Sequence, residues 1–203
     1  MAAQADAQEP EAPVRLIKTR RFGDDRGWFS ETFNAAAWAK LGADGPFVQD
    51  NHSLSREPYV LRGLHFQAPP FAQAKLVRCS RGRIWDVAVD LRQGSPSYGR
   101  WVGAELSGDD GLQLFVPVGF AHGFLTLEAD TEVQYKVTSP YAPQAEGGII
   151  WNDADLALPW PLNGAAPVLS AKDLRLPRLT ELDSPFAYEG QPLVASQLQP
   201  VSP

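Results

Sequence analysis

The chain has 203 residues and a formal net charge of −6 at pH 7, and 44% of its residues are hydrophobic. The negative charge argues against a nucleic-acid binder, whose phosphate contacts need a basic surface. The single cysteine, Cys79, cannot form an intrachain disulfide, and no apolar run is long enough to cross a membrane. We therefore expect a cytoplasmic protein that binds neither nucleic acid nor membrane.

Three regions follow one another along the chain. Residues 1–13 are rich in Ala, Gln, Glu and Pro, which predicts a disordered N-terminal arm. Residues 14–203 contain no linker and no internal repeat, which predicts a single domain. Within it, one short helix is expected from Asn34, a favourable N-cap, to Gly42, a favourable helix stop.

The sequence after residue 45 favours strands nearly everywhere. Apolar and polar residues alternate with a period of two in several segments, and glycine, proline and aspartate mark the turns between them. The clearest of these segments are residues 83–91, 101–106, 113–116 and 132–138. Short strands at this spacing predict a β-sandwich or barrel whose interior can hold one ligand. The proline-rich tail after residue 150 is expected to wrap the barrel with short helical turns.

The segment 62–67 is the most informative part of the chain, because it carries both an arginine and a histidine. Arg62 and His65 are three residues apart, so a regular strand would point them to opposite faces. A bulge near Gly63 would aim both into one pocket, and bulges of this kind occur beside active sites. A neutral imidazole near pH 7 is an effective general base.

Other polar residues interrupt apolar strands, where buried polar groups are costly unless they are paired. Taken alone, Lys75 fits a structural lysine that extends its ammonium to solvent as well as it fits a functional residue. Tyr135, taken alone, fits a core aromatic residue whose hydroxyl finds a partner. Together with His65 they supply a base, an acid and an electrophile. Basic residues also concentrate in the first half of the chain, as either a salt-bridged surface or a pocket for a small anion such as a diphosphate. They are Arg20, Arg21, Arg26, Arg62, Lys75, Arg78, Arg81 and Arg83.

Competing chemistries find little support in the sequence. His65 is followed by Phe66 and Gln67 rather than by a second histidine, and His122 stands alone, so no metal site is expected. No serine lies in a nucleophile-elbow pattern. Cys79 lies in an apolar strand segment and is expected to be unreactive.

Seven motifs together resemble the dTDP-4-dehydrorhamnose 3,5-epimerase family, in order and from about residue 14 to residue 180. The motifs are Phe22–Glu31, Gln49–Ser53, Leu61–Gln67, Val116–Phe124, Tyr135–Lys136, Glu146–Asp153 and Leu169–Asp173. The resemblance implies a mainly β fold, a cupin or jelly-roll-type antiparallel β-barrel with a few short helices. It also implies a homodimer in which strands pass between subunits, without a metal or organic cofactor.

The resemblance further implies a reaction and a set of residues. The substrate would be dTDP-4-dehydro-6-deoxy-D-glucose, epimerised at carbons 3 and 5 to dTDP-4-dehydro-L-rhamnose. His65 would be the base, Asp173 its orienting partner, Tyr135 the acid and Lys75 the cation that stabilises the enolate. The positions that match substrate-binding residues of the family are Arg26, Glu31, Gln49, Asn51, Arg62, Lys75, His122, Glu146 and Lys172.

Two alternatives stay open at this point. Relatives that invert only carbon 5 or only carbon 3 use the same base and acid, so the motifs do not fix the number of centres. A non-catalytic or metal-dependent cupin is the alternative from another class. One departure from the family pattern is Ser139-Pro140 ahead of Tyr141, which could alter the cavity wall there.

Overall fold

The computed structural model describes residues 13–190, 192–193 and 198–203. The predicted N-terminal arm, except for Pro13, lies outside the described residues. The strands are β1 (Arg15–Lys18), β2 (Phe22–Asp24), β3 (Gly27–Phe29), β4 (Gln49–Ser55), β5 (Leu61–Gln67), β6 (Lys75–Arg81), β7 (Arg83–Asp90), β8 (Trp101–Ser107), β9 (Leu112–Val116), β10 (Phe120–Thr126), β11 (Thr131–Val137), β12 (Glu146–Gly148) and β13 (Pro200–Val201). One helix, α1 (Ala35–Lys40), and 3-10 turns at Pro143–Ala145, Asp173–Arg175 and Leu179–Glu181 complete the regular structure of these residues.

Two antiparallel sheets form the body of the fold. The six-stranded sheet has the order β13-β1-β9-β6-β11-β4, and the five-stranded sheet has the order β12-β5-β10-β7-β8. Strand β13 alone among the described strands pairs in parallel, with β1. The mainly β, antiparallel fold of the cupin type with few short helices is thus confirmed. The four strands predicted most clearly are β7, β8, β9 and β11, each within one residue of its predicted ends.

Apolar residues fill three layers. The layer between the sheets includes Val77, Ile84, Leu114, Phe120 and Phe124. The outer face of the five-stranded sheet packs under Ile149, Leu156 and Phe186 of the tail. The outer face of the six-stranded sheet packs under Trp38 of α1. Both faces of β7 are therefore buried, whereas its alternating pattern predicted one apolar and one polar face. The polar residues Asp86 and Asp90 can be buried because they contact His122 and Arg92, respectively.

Helix α1 begins where the sequence predicts. The side chain of Asn34 accepts a hydrogen bond from the backbone N–H of Ala37 at 3.1 Å, which satisfies one of the donors left free at a helix start. Gly42 follows the helix with φ of +75°, a conformation that favours glycine. Trp38, fully buried, fixes the helix on the sheet.

The bulge predicted in β5 is present. His65 pairs with His122 of β10, but Arg62 pairs with Phe124, so β5 contains one residue more than β10 between these pairs. Gly63 lies in this bulge with φ of +128°, and a Cβ atom there would lie 2.5 Å from the Cα atom of Gly123. Only glycine fits, since the obstacle is backbone that cannot rotate away.

Replacing Gly63 should therefore be far more damaging than replacing another glycine with positive φ. Gly63→Ala should lower the free energy of unfolding by about 3 kcal/mol, because the new methyl group meets backbone. Gly94→Ala is the matched control, since Gly94 has φ of +83° but nothing within 4 Å of a Cβ atom, and it should cost about 1 kcal/mol. Urea unfolding of both variants measures the difference. Equal losses would contradict the close contact.

Candidate active site

Two neighbouring cavities lie between the sheets and share His65, Lys75 and Tyr135 in their walls. The first cavity has a volume of about 290 Å³ and the second about 220 Å³. The remaining wall of the first consists of Ser53, Arg62, His122, Phe124, Ser170, Lys172 and Asp173. That of the second consists of Gln49, Asn51, Phe66, Gln67, Gln73, Tyr141 and Glu146. Most of the predicted site residues are thus brought together.

His65 projects inward from β5, because its neighbours Leu64 and Phe66 pack into the layer outside the sheet. Its Nε2 lies 2.6 Å from Oδ1 of Asp173, which is nearly buried. Burial acts to raise the pKa of Asp173, but the hydrogen bond and the charge of His65 outweigh it and hold that pKa below its ordinary value. Asp173 therefore stays anionic and fixes the ring, which leaves the second ring nitrogen of His65 to take up a proton.

Tyr135 lies in the opposite wall. It projects inward from β11 of the six-stranded sheet, between Asn51 of β4 and Val77 of β6 in register. Burial raises the pKa of Tyr135, and the nearby charge of Arg62 partly opposes this effect. The hydroxyl therefore keeps its proton at neutral pH, and Arg62 is placed to stabilise the phenolate if that proton leaves.

Lys75 begins β6 beside Tyr135 and reaches across to the other sheet. Its Nζ donates a hydrogen bond to the backbone carbonyl of His65 at 3.3 Å. Burial lowers the pKa of Lys75 to about 8, while the charges of Asp86 and Glu146 act in the opposite direction. At neutral pH the buried amine is thus mostly a cation, and it can stabilise a developing negative charge.

A chain of hydrogen bonds closes the second cavity. Gln49 donates to Oδ1 of Asn51 at 2.9 Å, and Gln49 accepts from the backbone N–H of Tyr141 at 3.0 Å. The hydroxyl of Tyr141 donates to Glu146 at 2.8 Å, and Lys172 forms an ion pair with the same carboxylate. Burial acts to raise the pKa of Glu146, but these partners outweigh it and lower that pKa. The second cavity is thus lined by hydrogen-bond donors and by hydrogen-bond acceptors, which their mutual contacts hold in place.

A second histidine–carboxylate pair lies beside the first. His122 of β10 lies 2.6 Å from Oδ1 of Asp86 of β7, and both side chains are almost completely buried. Burial lowers the pKa of His122, although Asp86 opposes this effect. The sequence predicted a role for His122 but none for Asp86. The available signal was a carboxylate on the same face of β7 as Ile84 and Ala88, where an acid must have a buried partner.

Arg26 and Glu31 lie elsewhere. Arg26 connects β2 and β3, its side chain is 89% exposed, and it pairs with Asp24 at 2.5 Å. Glu31 follows the same hairpin and is also exposed. Within the described residues, neither side chain lines either cavity. One chain therefore does not assemble the whole predicted substrate-binding set.

The basic residues that concentrate in the first half of the sequence do not all lie together in the structure. Arg62 and Lys75 line the first cavity. Arg83 pairs with Glu105 at 2.6 Å and Arg81 lies 3.8 Å from Glu132, all on the surface. Arg81 and Arg83 therefore belong to a salt-bridged surface, whereas Arg62 and Lys75 lie where they could contact a bound anion.

Metal catalysis and a reactive cysteine are the two competing chemistries that can be compared with the described residues. The part of the chain that the structure describes contains no group of three His, Cys, Asp or Glu side chains placed to hold a metal ion. Burial raises the pKa of Cys79 to about 12, so this thiol is unreactive as predicted. None of the described helices is both long and apolar enough to cross a membrane.

Comparison with known proteins gives a consistent result. A family model described as dTDP-4-dehydrorhamnose 3,5-epimerase matches residues 12–181. A dTDP-4-dehydrorhamnose 3,5-epimerase of Sinorhizobium fredii is 54% identical over 177 residues, which is 87% of this chain and 90% of that protein. The corresponding protein of Escherichia coli K12 is 52% identical over 170 residues, 83% of this chain and 91% of its own length.

A solved structure shows the same fold. The dTDP-6-deoxy-D-glucose-3,5-epimerase of Legionella pneumophila, crystallised with dTDP-4-keto-L-rhamnose, superimposes with a TM-score of 0.83 and is 41% identical. The match covers 93% of this chain and 97% of the Legionella chain.

The pair of His65 and Asp173 should contribute stability that depends on pH. The folded-state pKa of Asp173 lies below its ordinary value of 3.8, so the contribution is full above that value and is lost as the pH falls through the folded pKa. Asp173→Asn should cost about 2 kcal/mol at pH 7 and progressively less toward pH 3. Chemical unfolding across this range measures it, with the exposed Asp44→Asn as control. A penalty that stays constant down to pH 3 would contradict the ion pair.

Proposed function

The chain belongs to the dTDP-4-dehydrorhamnose 3,5-epimerase family, and on that premise we propose how it works. It binds dTDP-4-dehydro-6-deoxy-D-glucose in the joined cavities and inverts carbons 3 and 5, giving dTDP-4-dehydro-L-rhamnose. One observation carries this proposal: His65 and Tyr135 line the same cavities from opposite sheets. A base on one face of the sugar ring and an acid on the other invert a carbon centre. A single group on one face would remove and return the proton on that face, and the configuration would be unchanged.

The first step is removal of a proton from carbon by His65. Both carbons lie next to the ketone at carbon 4, which acidifies their protons because the resulting carbanion is an enolate. The proton moves to the free nitrogen of His65 while the electron pair of the C–H bond moves toward the ketone oxygen. The carboxylate of Asp173, 2.6 Å from the ring, stabilises the imidazolium that forms, as an acid behind a catalytic imidazole does.

The enolate oxygen then needs a positive partner. Lys75 is the cation in the shared wall of the two cavities, and burial strengthens its interaction with a developing charge. With a pKa of about 8, it is mostly charged at neutral pH. The ammonium therefore stabilises the enolate more than it stabilises the neutral ketone, which is the condition for accelerating the step.

The second step is reprotonation from the other face. Tyr135 gives its hydroxyl proton to the carbon, and the enolate electron pair forms the new C–H bond. The resulting phenolate lies near Arg62, whose charge lowers the pKa of Tyr135. Before the second carbon reacts, the imidazolium of His65 gives its proton to solvent and the phenolate of Tyr135 takes a proton from solvent. The same pair of residues then acts at that carbon. No cofactor enters these steps.

The remaining cavity residues are proposed to hold the substrate. Gln49, Asn51, His122 and Glu146 supply hydrogen-bonding groups in the walls, and Arg62 and Lys172 supply positive charge. Guanidinium groups bind diphosphates well, because their N–H groups match two oxygens at once. The cavity size of a few hundred Å³ fits the sugar and part of the nucleotide.

We further propose that the enzyme is a homodimer. Arg26 and Glu31 lie on an exposed hairpin that also exposes Phe22, Trp28 and Phe29. Exposed aromatic residues are enriched at protein interfaces. A second copy would use this hairpin to complete the substrate-binding set in the first copy. We also propose a cytoplasmic location, because a sequence with Cys79 as its one cysteine uses no intrachain disulfide.

Variants of the base and the acid test the mechanism. His65→Ala should lower kcat for epimerisation by about 1,000-fold or more, since a positioned base contributes on that scale. Tyr135→Phe should lower kcat by about 100-fold. Tyr135→Phe should keep the unfolding midpoint of the parent. His65→Ala should lower that midpoint, because it leaves the nearly buried carboxylate of Asp173 without its partner, but it should still unfold in one cooperative transition. Product is measured as the dTDP-L-sugar formed when a 4-ketoreductase removes it.

His52→Ala is the matched control, because His52 lies on the outer face of β4 and pairs with Glu132. It should retain turnover. Unaltered activity in His65→Ala would refute the proposed base. Metal found at stoichiometric amounts in the active protein, with activity lost on its removal, would favour the metal-dependent cupin instead.

Mixing two inactive variants tests the shared site. If the partner's hairpin completes each site, a heterodimer of His65→Ala and Arg26→Ala holds one intact site, which combines the parental His65 of one chain with the parental Arg26 of the other. Co-refolded mixtures should therefore regain a substantial fraction of turnover that neither homodimer shows. A monomer in sedimentation, or no recovery in the mixture, would contradict the shared site.

A further inference from the structure

A buried carboxylate that the mechanism has not used lies directly behind the active site. Asp86 is on β7, in register with Phe124 of β10. It is completely buried, on the face of β7 that also carries the apolar Ile84 and Ala88. A carboxylate at this depth is costly unless its charge is balanced. Its surroundings therefore indicate what it does.

The two oxygens of Asp86 have different environments. Oδ1 lies 2.6 Å from Nε2 of His122. Oδ2 is buried and has no hydrogen-bond partner among the described residues. A hydrogen bond to a neutral imidazole does not neutralise the carboxylate, so a full negative charge remains to act on its neighbours.

Lys75 is the cation on which that charge acts. Both Lys75 and His122 line the first cavity, and Asp86 lies directly behind His122. Burial lowers the pKa of Lys75, and of the two carboxylates that oppose this effect Asp86 is the stronger and Glu146 the weaker. Glu146 is already engaged by Lys172 and Tyr141. Asp86 is the anion left to compensate Lys75.

We propose that Asp86 is a positioning residue that keeps Lys75 in its cationic form and holds the ring of His122, and so sets the alkaline limit of the reaction. The inference rests on the proposed function, in which Lys75 stabilises the enolate. Asp86 itself lines neither cavity, so it acts through its neighbours rather than by touching the substrate.

Other charged or titratable side chains line the same two cavities as Lys75. From the five-stranded sheet they are His65, Arg62, His122 and Glu146; from the six-stranded sheet and the segment that follows it they are Tyr135 and Tyr141; and from the tail they are Lys172 and Asp173. Arg62 and Lys172 are cations like Lys75 and cannot compensate its charge, while Asp173 is engaged with His65. Loss of the Asp86 charge therefore leaves Lys75 among cations and among carboxylates that already have partners.

Asp86→Asn tests the inference, because an amide keeps the shape and can still accept from His122 but carries no charge. The Nζ resonance of Lys75, assigned by its loss in Lys75→Arg, is titrated by NMR in ¹⁵N-lysine-labelled protein. Its midpoint should fall below the parental value of about 8. Glu146→Gln should lower the midpoint less, as the matched comparison.

Turnover gives the second readout. In Asp86→Asn the alkaline limb of kcat should move to lower pH, so that kcat at pH 8 drops by about tenfold for each pH unit by which the limb moves. Near pH 6 kcat should approach that of the parent, and KM should change little. A role in packing alone would lower kcat by the same factor at every pH.

An unchanged Lys75 titration in Asp86→Asn would overturn the proposal, as would a loss of kcat that does not vary with pH. If Asp86→Asn fails to fold, the NMR titration of Lys75 is carried out in the smaller neutral variant Asp86→Ser, with the same expected result. The titration does not depend on turnover. A parent protein that cannot epimerise the nucleotide sugar would therefore refute the proposed function and leave the titration to decide the role of Asp86.

Discussion

Charged groups inside this barrel need partners of opposite charge, because the cavities that hold them adjoin an apolar core. His65 is held by Asp173 and His122 by Asp86, each at 2.6 Å, and Lys75 is left as a cation by the carboxylates around it. Each unpaired charge at this depth would cost several kcal/mol. We propose that the same balance of burial and charge gives the site its chemistry, because it leaves Tyr135 protonated and Lys75 mostly charged at neutral pH.

The backbone contact at Gly63 determines where these groups point. The extra residue in β5 lets Arg62 and His65 line one cavity although they are three apart, and it is possible only because Gly63 and Gly123 meet without side chains. The two sheets then place His65 and Tyr135 on opposite walls. An architecture of two packed sheets therefore supplies the two-sided arrangement that inversion of a carbon centre requires.

Much of this could be predicted from local sequence. The alternation in β7 and β11, the cap at Asn34 and the bulge at Gly63 follow from local rules of strands, helices and glycine, which are set by neighbours along the chain. Asp86 was missed because its meaning depends on a partner 36 residues away. The exposed position of Arg26 was not predictable either. Its proposed contact with the substrate is made in a second copy of the chain, and local sequence carries no information about that contact.

Hydrogen exchange during turnover tests the central claim most directly. The purified protein would be incubated with dTDP-4-dehydro-6-deoxy-D-glucose in deuterated water, with a reductase present to trap the product, and followed by NMR. Inversion of both centres by His65 and Tyr135 predicts deuterium at carbon 3 and at carbon 5, together with a trapped L-sugar. Deuterium at only one carbon would contradict the double epimerisation, and none at either carbon would contradict the proposed acid–base chemistry altogether.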